Sequence, residues 1–128
     1  MKGIPIHGIG MQGHFQVDGF STSSIDRNIK RFGDLGLLAI FTEVDVSIPK
    51  DKFNDSLTLN RQAENYAELM SVCLRNDNCE SFVLWGFTDM HSWIPQHTKN
   101  ELGQALIFNN LYEPKPAYWS LLNTLTGD

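Results

Sequence analysis

The sequence lacks several features that would assign it to a functional class at once. No apolar run is long enough to span a bilayer and no targeting segment opens the chain, so a membrane partner is not expected. Low-complexity tracts are also missing, and only 10 Lys and Arg residues face 15 Asp and Glu residues. Because nucleic-acid binding needs a basic stripe, the net charge of -5 argues against a nucleic-acid partner.

Cysteine is scarce as well, with only Cys73 and Cys79 in 128 residues. The polar residues Asn76, Asp77 and Asn78 lie between them and form a turn that can bring the two sulfurs together. The C-x5-C spacing fits neither the C-x2-C redox motif nor a common zinc pattern. Spacing alone leaves two alternatives, a small disulfide-closed loop or two separate thiols.

The chain contains three short apolar segments, each followed by polar or aromatic residues. Nearly continuous apolar runs of this length are typical of parallel strands buried on both faces. Residues 6–11 lead into Gln12 and His14, residues 37–41 into Glu43 and Asp45, and residues 82–87 into Asp89, His91 and Trp93.

Segments with helical spacing lie between and after these strands. Apolar residues at i, i+3, i+4 and i+7 mark one face of a helix that packs on a sheet. The sequence therefore predicts the order β-α-β-α-β-α, in which functional residues gather at the carboxyl ends of the strands. The predicted buried faces are Ile25, Ile29 and Phe32; Ala63, Tyr66, Ala67, Met70 and Leu74; and Ala117, Tyr118, Leu121 and Leu122 after Pro116.

Three parallel strands make an incomplete unit, since both outer strands would expose apolar edges. Another chain covers those edges, or the sequence is part of something larger.

Four motifs in order and with matching spacing give the sequence a family resemblance. They are G-I-G-M-Q-G-H at residues 8–14, F-T-E-V-D-V at 41–46, L-W-G-F-T-D-M-H-S-W-I-P at 84–95 and E-P-K-P-A-Y at 113–118. Together they resemble the last three strands and closing helix of glycoside hydrolase family 10, the endo-β-1,4-xylanases. The resemblance implies an α/β fold, namely the C-terminal part of a (β/α)8 TIM barrel with roughly three βα units. Residues 1–128 would then form a partial catalytic domain.

The resemblance also implies roles for the polar residues at the strand ends. Glu43 corresponds to the family's catalytic nucleophile, and His14 and Asp45 to a hydrogen-bonded support that keeps it in place and ionised. A retaining glycosidase needs a second carboxyl group about 5 Å from the nucleophile. Asp45 cannot be that group on an extended strand. Gln12 is expected to contact the sugar or the leaving-group side of the general acid.

The tryptophans are expected to line the substrate cleft. Sugar C–H faces stack on indole rings, and the indole N–H can bond a hydroxyl. By resemblance, Trp85 forms the floor near the scissile sugar and Trp93 a movable wall, whereas Trp119 packs outside the barrel. Cys73 and Cys79 match a disulfide frequent in secreted members, which implies a bridge and an extracellular location.

The family's general acid/base, a glutamate in a W-D-x-x-N-E segment, has no counterpart in this sequence. The expectation is therefore the C-terminal portion of a secreted retaining xylanase that acts on xylan or xylo-oligosaccharides and is inactive as an isolated chain. No cofactor or metal is implied, and the complete protein is expected to be a monomer. His7 and Asn109 depart from the family, which commonly has aspartate at both positions.

Two other functional classes compete with this interpretation. A non-catalytic carbohydrate-binding protein would keep Gln12, Trp85 and Trp93 for stacking, but it would have no need of Glu43 with its two supports. A metal-dependent hydrolase would use carboxylates and histidines aimed at one point. Its candidate ligands are His7, His14, Asp45, Asp89 and His91, and it is the weakest option because His7 and His14 would face opposite sides of one strand.

Overall fold

Parallel strands alternating with helices make up the structure, a computed structural model that describes residues 3–127. The predicted order of strands and helices is confirmed, with short additional elements. The elements are β1 (Gly8–Met11), β2 (His14–Gln16), α1 (Thr22–Asp34), β3 (Leu38–Pro49), α2 (Ser56–Leu74), β4 (Cys79–Leu84), α3 (Ile94–His97), β5 (Leu102–Gly103) and α4 (Pro116–Thr126), with 3₁₀ turns at Lys50–Lys52 and Asp89–His91.

Strand β3 is the centre of the sheet. β1 and β2 pair with it in parallel along one edge, and β4 pairs in parallel along the other. The two-residue strand β5 pairs antiparallel with the end of β3. β1 and β4 therefore each have β3 as their only sheet neighbour among residues 3–127.

The first predicted strand is interrupted between β1 and β2. Gly13 lies in this break with φ of +85°, in the left-handed region that favours glycine. A Cβ atom at Gly13 would come within 3.1 Å of the Val44 side chain. The break thus depends on a residue without a side chain, and it lets the chain resume pairing with β3 at His14.

Burial differs sharply between the central and outer strands. Val44, Val46 and Ile48 of β3 are completely buried, whereas Val83 of β4 is 44% exposed. The prediction that all three strands are buried on both faces is correct for the second half of β3. It is wrong for the first half of β3, where Leu38 is 39% exposed, and for β1 and β4. The physical reason is that one face of the sheet is open to solvent in these parts.

The helices form where the apolar spacing predicts them. Ile29 of α1 and Tyr66 of α2 are fully buried. The Asp55 side chain caps α2 by accepting a hydrogen bond from the Thr58 N–H at 2.8 Å. Pro116 begins α4 as predicted.

Two positions predicted to lie on buried helix faces are more exposed than expected. Leu74 is 56% exposed and Leu122 37% exposed. Leu74 is the last residue of α2, where the helix turns into the corner before β4, and Leu122 borders an apolar groove between α2, β4 and α4 that is open to solvent.

Cys73 and Cys79 form a disulfide with an S–S distance of 2.07 Å. The bond joins the end of α2 to the first residue of β4 and so fixes the corner between the two elements. Of the two alternatives that the spacing left open, the structure contains the bridge. Within residues 3–127, no helix combines the length and apolar character needed to cross a membrane.

Candidate active site

His14 lies between the two carboxylates that follow the apolar half of β3. Its Nδ1 is 3.0 Å from Asp45 Oδ2, and its Nε2 is 3.1 Å from Glu43 Oε2. The contact follows from sheet register, because His14 is the direct neighbour of Asp45 across the β2–β3 pair. With a carboxylate oxygen facing each ring nitrogen, the imidazolium form donates a hydrogen bond to both.

The backbone of β3 explains why both carboxylates reach one imidazole. Alternate residues of a strand point to the same side, so Glu43 and Asp45 project together. The Glu43 N–H donates to the Gln12 carbonyl at 2.9 Å, and the Asp45 N–H donates to the Gly13 carbonyl at 3.2 Å. The two residues in the break between β1 and β2 therefore bond to the backbone of β3 at both acidic residues.

The two acids differ in their access to solvent. The Glu43 side chain is 24% exposed, and that of Asp45 is completely buried. Burial raises the pKa of the Asp45 carboxyl group, while hydrogen bonds from Trp93 and His14 and the charge of His14 oppose this rise. Glu43 is thus the acid of this pair that a ligand can reach.

Trp93 contacts both supporting residues. Its indole N–H donates to Asp45 Oδ2 at 2.9 Å, and its ring lies edge-on to His14 with the centroids 4.9 Å apart. The N–H group is therefore committed to Asp45 and is not free to bond a sugar hydroxyl. The structure places Trp93 beside the carboxylates.

Trp85 and Gln12 lie in exposed positions near this cluster. Trp85 follows β4 directly, is 48% exposed, and donates its backbone N–H to the Val44 carbonyl at 3.0 Å. Gln12 lies in the strand break and is also exposed, with its carbonyl bonded to Glu43. Both side chains are available to a ligand that reaches Glu43.

Asp89 and His91 do not join the cluster. Asp89 Oδ2 accepts a hydrogen bond from Lys115 Nζ at 3.0 Å, and Asp89 Oδ1 accepts one from the Leu106 N–H at 2.8 Å. His91 Nε2 lies 3.0 Å from the Tyr112 hydroxyl, on the surface. Asp89 and His91 therefore bond to residues outside the Glu43 cluster.

Lys115 is a residue that the sequence patterns did not single out. Its side chain is 6% exposed and pairs with Asp89, which is 5% exposed. Burial raises the pKa of Asp89 and lowers that of Lys115, and the charge of each partner opposes the shift of the other. The only sequence signal was its place in the E-P-K-P-A-Y motif, 26 residues from Asp89.

The geometry does not favour a metal centre. His7 lies before β1 and is exposed, so it does not share a strand with His14 as expected. Among residues 3–127, no group of three or more His, Cys, Asp and Glu side chains is arranged to hold a metal ion.

Parallel βα repeats with polar side chains at the strand ends are the architecture of α/β barrel enzymes. The family model described as Glycosyl hydrolase family 10 matches residues 1–124, and the chain belongs to this family.

Curated and solved relatives agree with this assignment. The chain is 40% identical to endo-1,4-beta-xylanase B of Thermotoga neapolitana over 94% of its own length and 34% of that protein. A thermostable celloxylanase of Thermoclostridium stercorarium is 34% identical, with 95% of this chain and 34% of that protein covered. The chain thus spans about a third of the length of the curated relatives it matches.

Solved structures show the same relationship in three dimensions. Native xylanase 10B of Thermotoga maritima superposes with a TM-score of 0.92 at 40% identity, covering 98% of this chain and 38% of that one. Xylanase 10B of Thermotoga petrophila RKU-1 in complex with xylobiose gives the same values. The predicted fold, the C-terminal part of a (β/α)8 barrel, is confirmed.

Proposed function

We propose that this chain supplies the nucleophile side of a retaining endo-1,4-β-xylanase. The observation that carries the proposal is the imidazole of His14 between Glu43 and Asp45, with contacts of 3.1 and 3.0 Å. The endo-1,4-beta-xylanases among the relatives support xylan as the substrate class.

In this mechanism the Glu43 carboxylate attacks the anomeric carbon, and the bond to the leaving oxygen breaks as a covalent glycosyl-enzyme forms. Water then hydrolyses that intermediate and releases Glu43. His14 keeps Glu43 oriented, because its Nε2 lies 3.1 Å from Glu43 Oε2 and can donate a hydrogen bond to it. Asp45 holds the opposite side of the imidazole.

The leaving oxygen needs a proton from a second carboxyl group. Asp45 does not fit this role, because it is completely buried and its Oδ2 already accepts from His14 and Trp93. By family resemblance the donor is a glutamate in a W-D-x-x-N-E segment, which this sequence does not contain. General acid catalysis contributes roughly 10²–10⁴-fold, so we propose that the isolated chain is inactive.

The proposed substrate contacts come from exposed groups near Glu43. Trp85 offers an indole face for stacking against a sugar ring, and Gln12 offers an amide for its hydroxyls. The xylobiose complex of the Thermotoga petrophila enzyme supports binding of xylo-oligosaccharides.

We further propose that the complete protein is a secreted monomer that needs no cofactor. The disulfide between Cys73 and Cys79 supports secretion, because such bonds persist in oxidising compartments.

The test is a chimaera in which this chain replaces the matching last third of Thermotoga maritima xylanase 10B. After incubation with a mechanism-based 2-fluoro-xylobioside, peptide mass spectrometry locates the label. We expect the label on Glu43, its loss in Glu43→Gln, and its retention in the control Glu80→Gln, which changes an exposed residue of β4.

A folded chimaera that binds xylobiose but takes no label would contradict the mechanism. That result would favour the carbohydrate-binding alternative, in which Gln12, Trp85 and Trp93 serve only for binding.

A further inference from the structure

Asp45 receives both of its hydrogen bonds on one oxygen atom. Oδ2 accepts from His14 Nδ1 at 3.0 Å and from Trp93 Nε1 at 2.9 Å. Oδ1 is buried and has no hydrogen-bond partner within residues 3–127. Within the described part of the chain, the indole N–H is therefore one of two side-chain donors that hold this buried carboxylate.

The loop that carries Trp93 is fixed at its base. Trp93 follows the 3₁₀ turn Asp89–His91 and directly precedes α3. Asp89 anchors that turn through Lys115 and through the Leu106 N–H, and the Thr88 hydroxyl donates to the Asn109 carbonyl at 2.7 Å. The position of the indole is thus set by a buried ion pair that does not itself reach Glu43.

The segment bonded to Asp89 and Lys115 also borders β3. Lys115 Nζ donates to the Gln104 carbonyl at 2.6 Å, and the next carbonyl, Ala105, accepts from the Val46 N–H at 3.1 Å. The ion pair therefore fixes both the loop that carries the Trp93 donor and the backbone next to its acceptor on β3.

We propose that Trp93 is a positioning residue whose indole N–H, held in place by the Asp89–Lys115 pair, fixes Asp45 and thereby the imidazole of His14 against Glu43. The inference rests on the proposed role of Glu43 as nucleophile. Trp93 acts on the nucleophile through two intermediate side chains.

The groups that face Asp45 determine whether its pKa rises or falls when the indole N–H is removed. They are His14 on β2, Glu43 on β3, Tyr66 on α2 and the Trp93 N–H. Burial and the charge of Glu43 favour the protonated form of Asp45, whereas His14 and the indole N–H favour the ionised form. Removal of the indole N–H therefore lets Asp45 take up a proton at a higher pH, which weakens its hold on His14.

The direct test is a pH titration by NMR of the chimaera, carrying ¹³C-labelled aspartate carboxyl groups. In Trp93→Phe, which keeps an aromatic ring and removes the N–H, the Asp45 titration midpoint should move upward. Trp119→Phe is the matched control, because Trp119 is 52% exposed on α4 and contacts Tyr118 at 4.9 Å between ring centroids. Equal midpoints for Asp45 in the two variants would overturn the proposal.

A second measurement needs no variant to fold. In the chimaera without further substitution, the Trp93 indole proton, identified by its proximity to the His14 ring, should shift with the same midpoint as the Asp45 carboxyl carbon. An indole resonance that stays constant through the Asp45 titration would overturn the proposal. Neither NMR result depends on hydrolysis, so failure here is distinguishable from failure to label Glu43.

The catalytic consequence is tested in the chimaera. Trp93→Phe should move the acidic limb of the kcat/KM pH profile to higher pH, whereas Trp119→Phe should leave it in place. An unchanged limb in a Trp93→Phe chimaera that still hydrolyses xylan would show that the indole does not act on Glu43.

Discussion

Gln62 is the buried residue that joins α2 to two separate backbone segments. Its side-chain amide donates to the carbonyls of Val46 and Gln104, each at 2.6 Å. Val46 follows Asp45 directly, so Gln62 secures the strand just past the buried acid. The Gln104 carbonyl also accepts from Lys115 Nζ, so the Val46 carbonyl is the more dependent of the two on Gln62. Loss of a donor to a buried carbonyl costs free energy.

Replacement of Gln62 by Met should therefore lower the free energy of unfolding by about 1–3 kcal/mol. Met has a side chain of similar length and good helix propensity, so the decrease in the free energy of unfolding measures the effect of the missing hydrogen-bond donor. Urea unfolding at constant pH measures the change. Asn60→Met, at an exposed position of the same helix, should stay within about 0.5 kcal/mol of the unmodified chain. Equal losses in the two variants would contradict this role of Gln62.

Asp26 makes the stability of the fold depend on pH in the acidic range. Its carboxylate accepts hydrogen bonds from Lys30, Asn76 and Arg75, and these hold its pKa well below the usual value of 3.8. A carboxyl group with a lowered folded-state pKa stabilises the fold above its ordinary pKa, and this contribution is lost as the pH falls through the folded value.

Asp26→Asn should therefore lower the thermal midpoint at pH 7, and the gap to the unmodified chain should narrow as the pH falls below about 4. Circular dichroism melts at pH 7 and pH 3 measure the gap. Asp51→Asn, at an exposed aspartate, serves as control. A gap that widens toward pH 3 would contradict the assignment.

Contacts between individual site residues were predictable only where strand register brings the two residues together. His14 faces Asp45 because polar residues at the ends of adjacent parallel strands meet at one edge of the sheet. The Trp93 donation to Asp45 could not be predicted, because it depends on a loop 48 residues away in sequence. The Asp89–Lys115 pair was missed for the same reason.

Among the elements, the loop after β4 and the start of α4 depend on the Asp89–Lys115 ion pair. Both side chains are at most 6% exposed, so removal of one leaves an uncompensated buried charge.

We expect Lys115→Met to lower the free energy of unfolding by about 3–5 kcal/mol, as measured by urea unfolding. The double variant Asp89→Asn/Lys115→Met removes both charges and should cost less than the sum of the single changes, by at least about 0.5 kcal/mol. Strict additivity of the two single changes would show that the side chains are not energetically coupled.

The disulfide should stabilise the corner between α2 and β4 only modestly. The bridged cysteines are six positions apart in sequence, and closure of so short a loop is worth about 2 kcal/mol in the chain-entropy description. Cys73→Ala/Cys79→Ala should lose about that amount in urea unfolding. Added reductant should destabilise the unmodified chain and leave the double variant unchanged. A response of the double variant to reductant would contradict this account.

At the level of elements, hydrophobic spacing predicted the principal strands and helices because their buried faces are regular. It did not predict the break between β1 and β2, which depends on the positive φ of Gly13. Nor did it predict α3 and β5, whose four and two residues are too short to show a period.

At the scale of the whole molecule, β1 and β4 each have one edge without a strand neighbour among residues 3–127. Ile6, just before β1, is 62% exposed, and Val83 of β4 is 44% exposed. Unpaired backbone groups beside apolar side chains are a template for pairing with another chain.

The isolated chain should therefore associate as its concentration rises, and the chimaera should remain monomeric because its barrel closes. Sedimentation velocity distinguishes the two states. Val83→Lys, which places a charge on β4, should reduce association of the isolated chain. A chain that stays monomeric throughout the micromolar range would show that these edges are protected in another way.

The barrel origin of the molecule was predictable because four motifs in order carry the resemblance, and because unprotected edges follow from three strands. The exposure of the apolar side chains on the strands was not predictable, because an apolar run does not show which elements pack against it. Among the strands within residues 3–127, β3 alone has a neighbour on each edge, and its second half is buried.

The full pairing of β3 has a consequence for how such enzymes diversify. Glu43, its supports and the tryptophan beside them all fall between residues 12 and 93, and both strands that flank β3 lie within this chain. One genetic crossover before β1 would therefore move Glu43, the proposed nucleophile, into a new barrel together with His14, Asp45 and Trp93. Recombination at that point would exchange the rest of the barrel and leave the hydrogen bonds among these four residues intact.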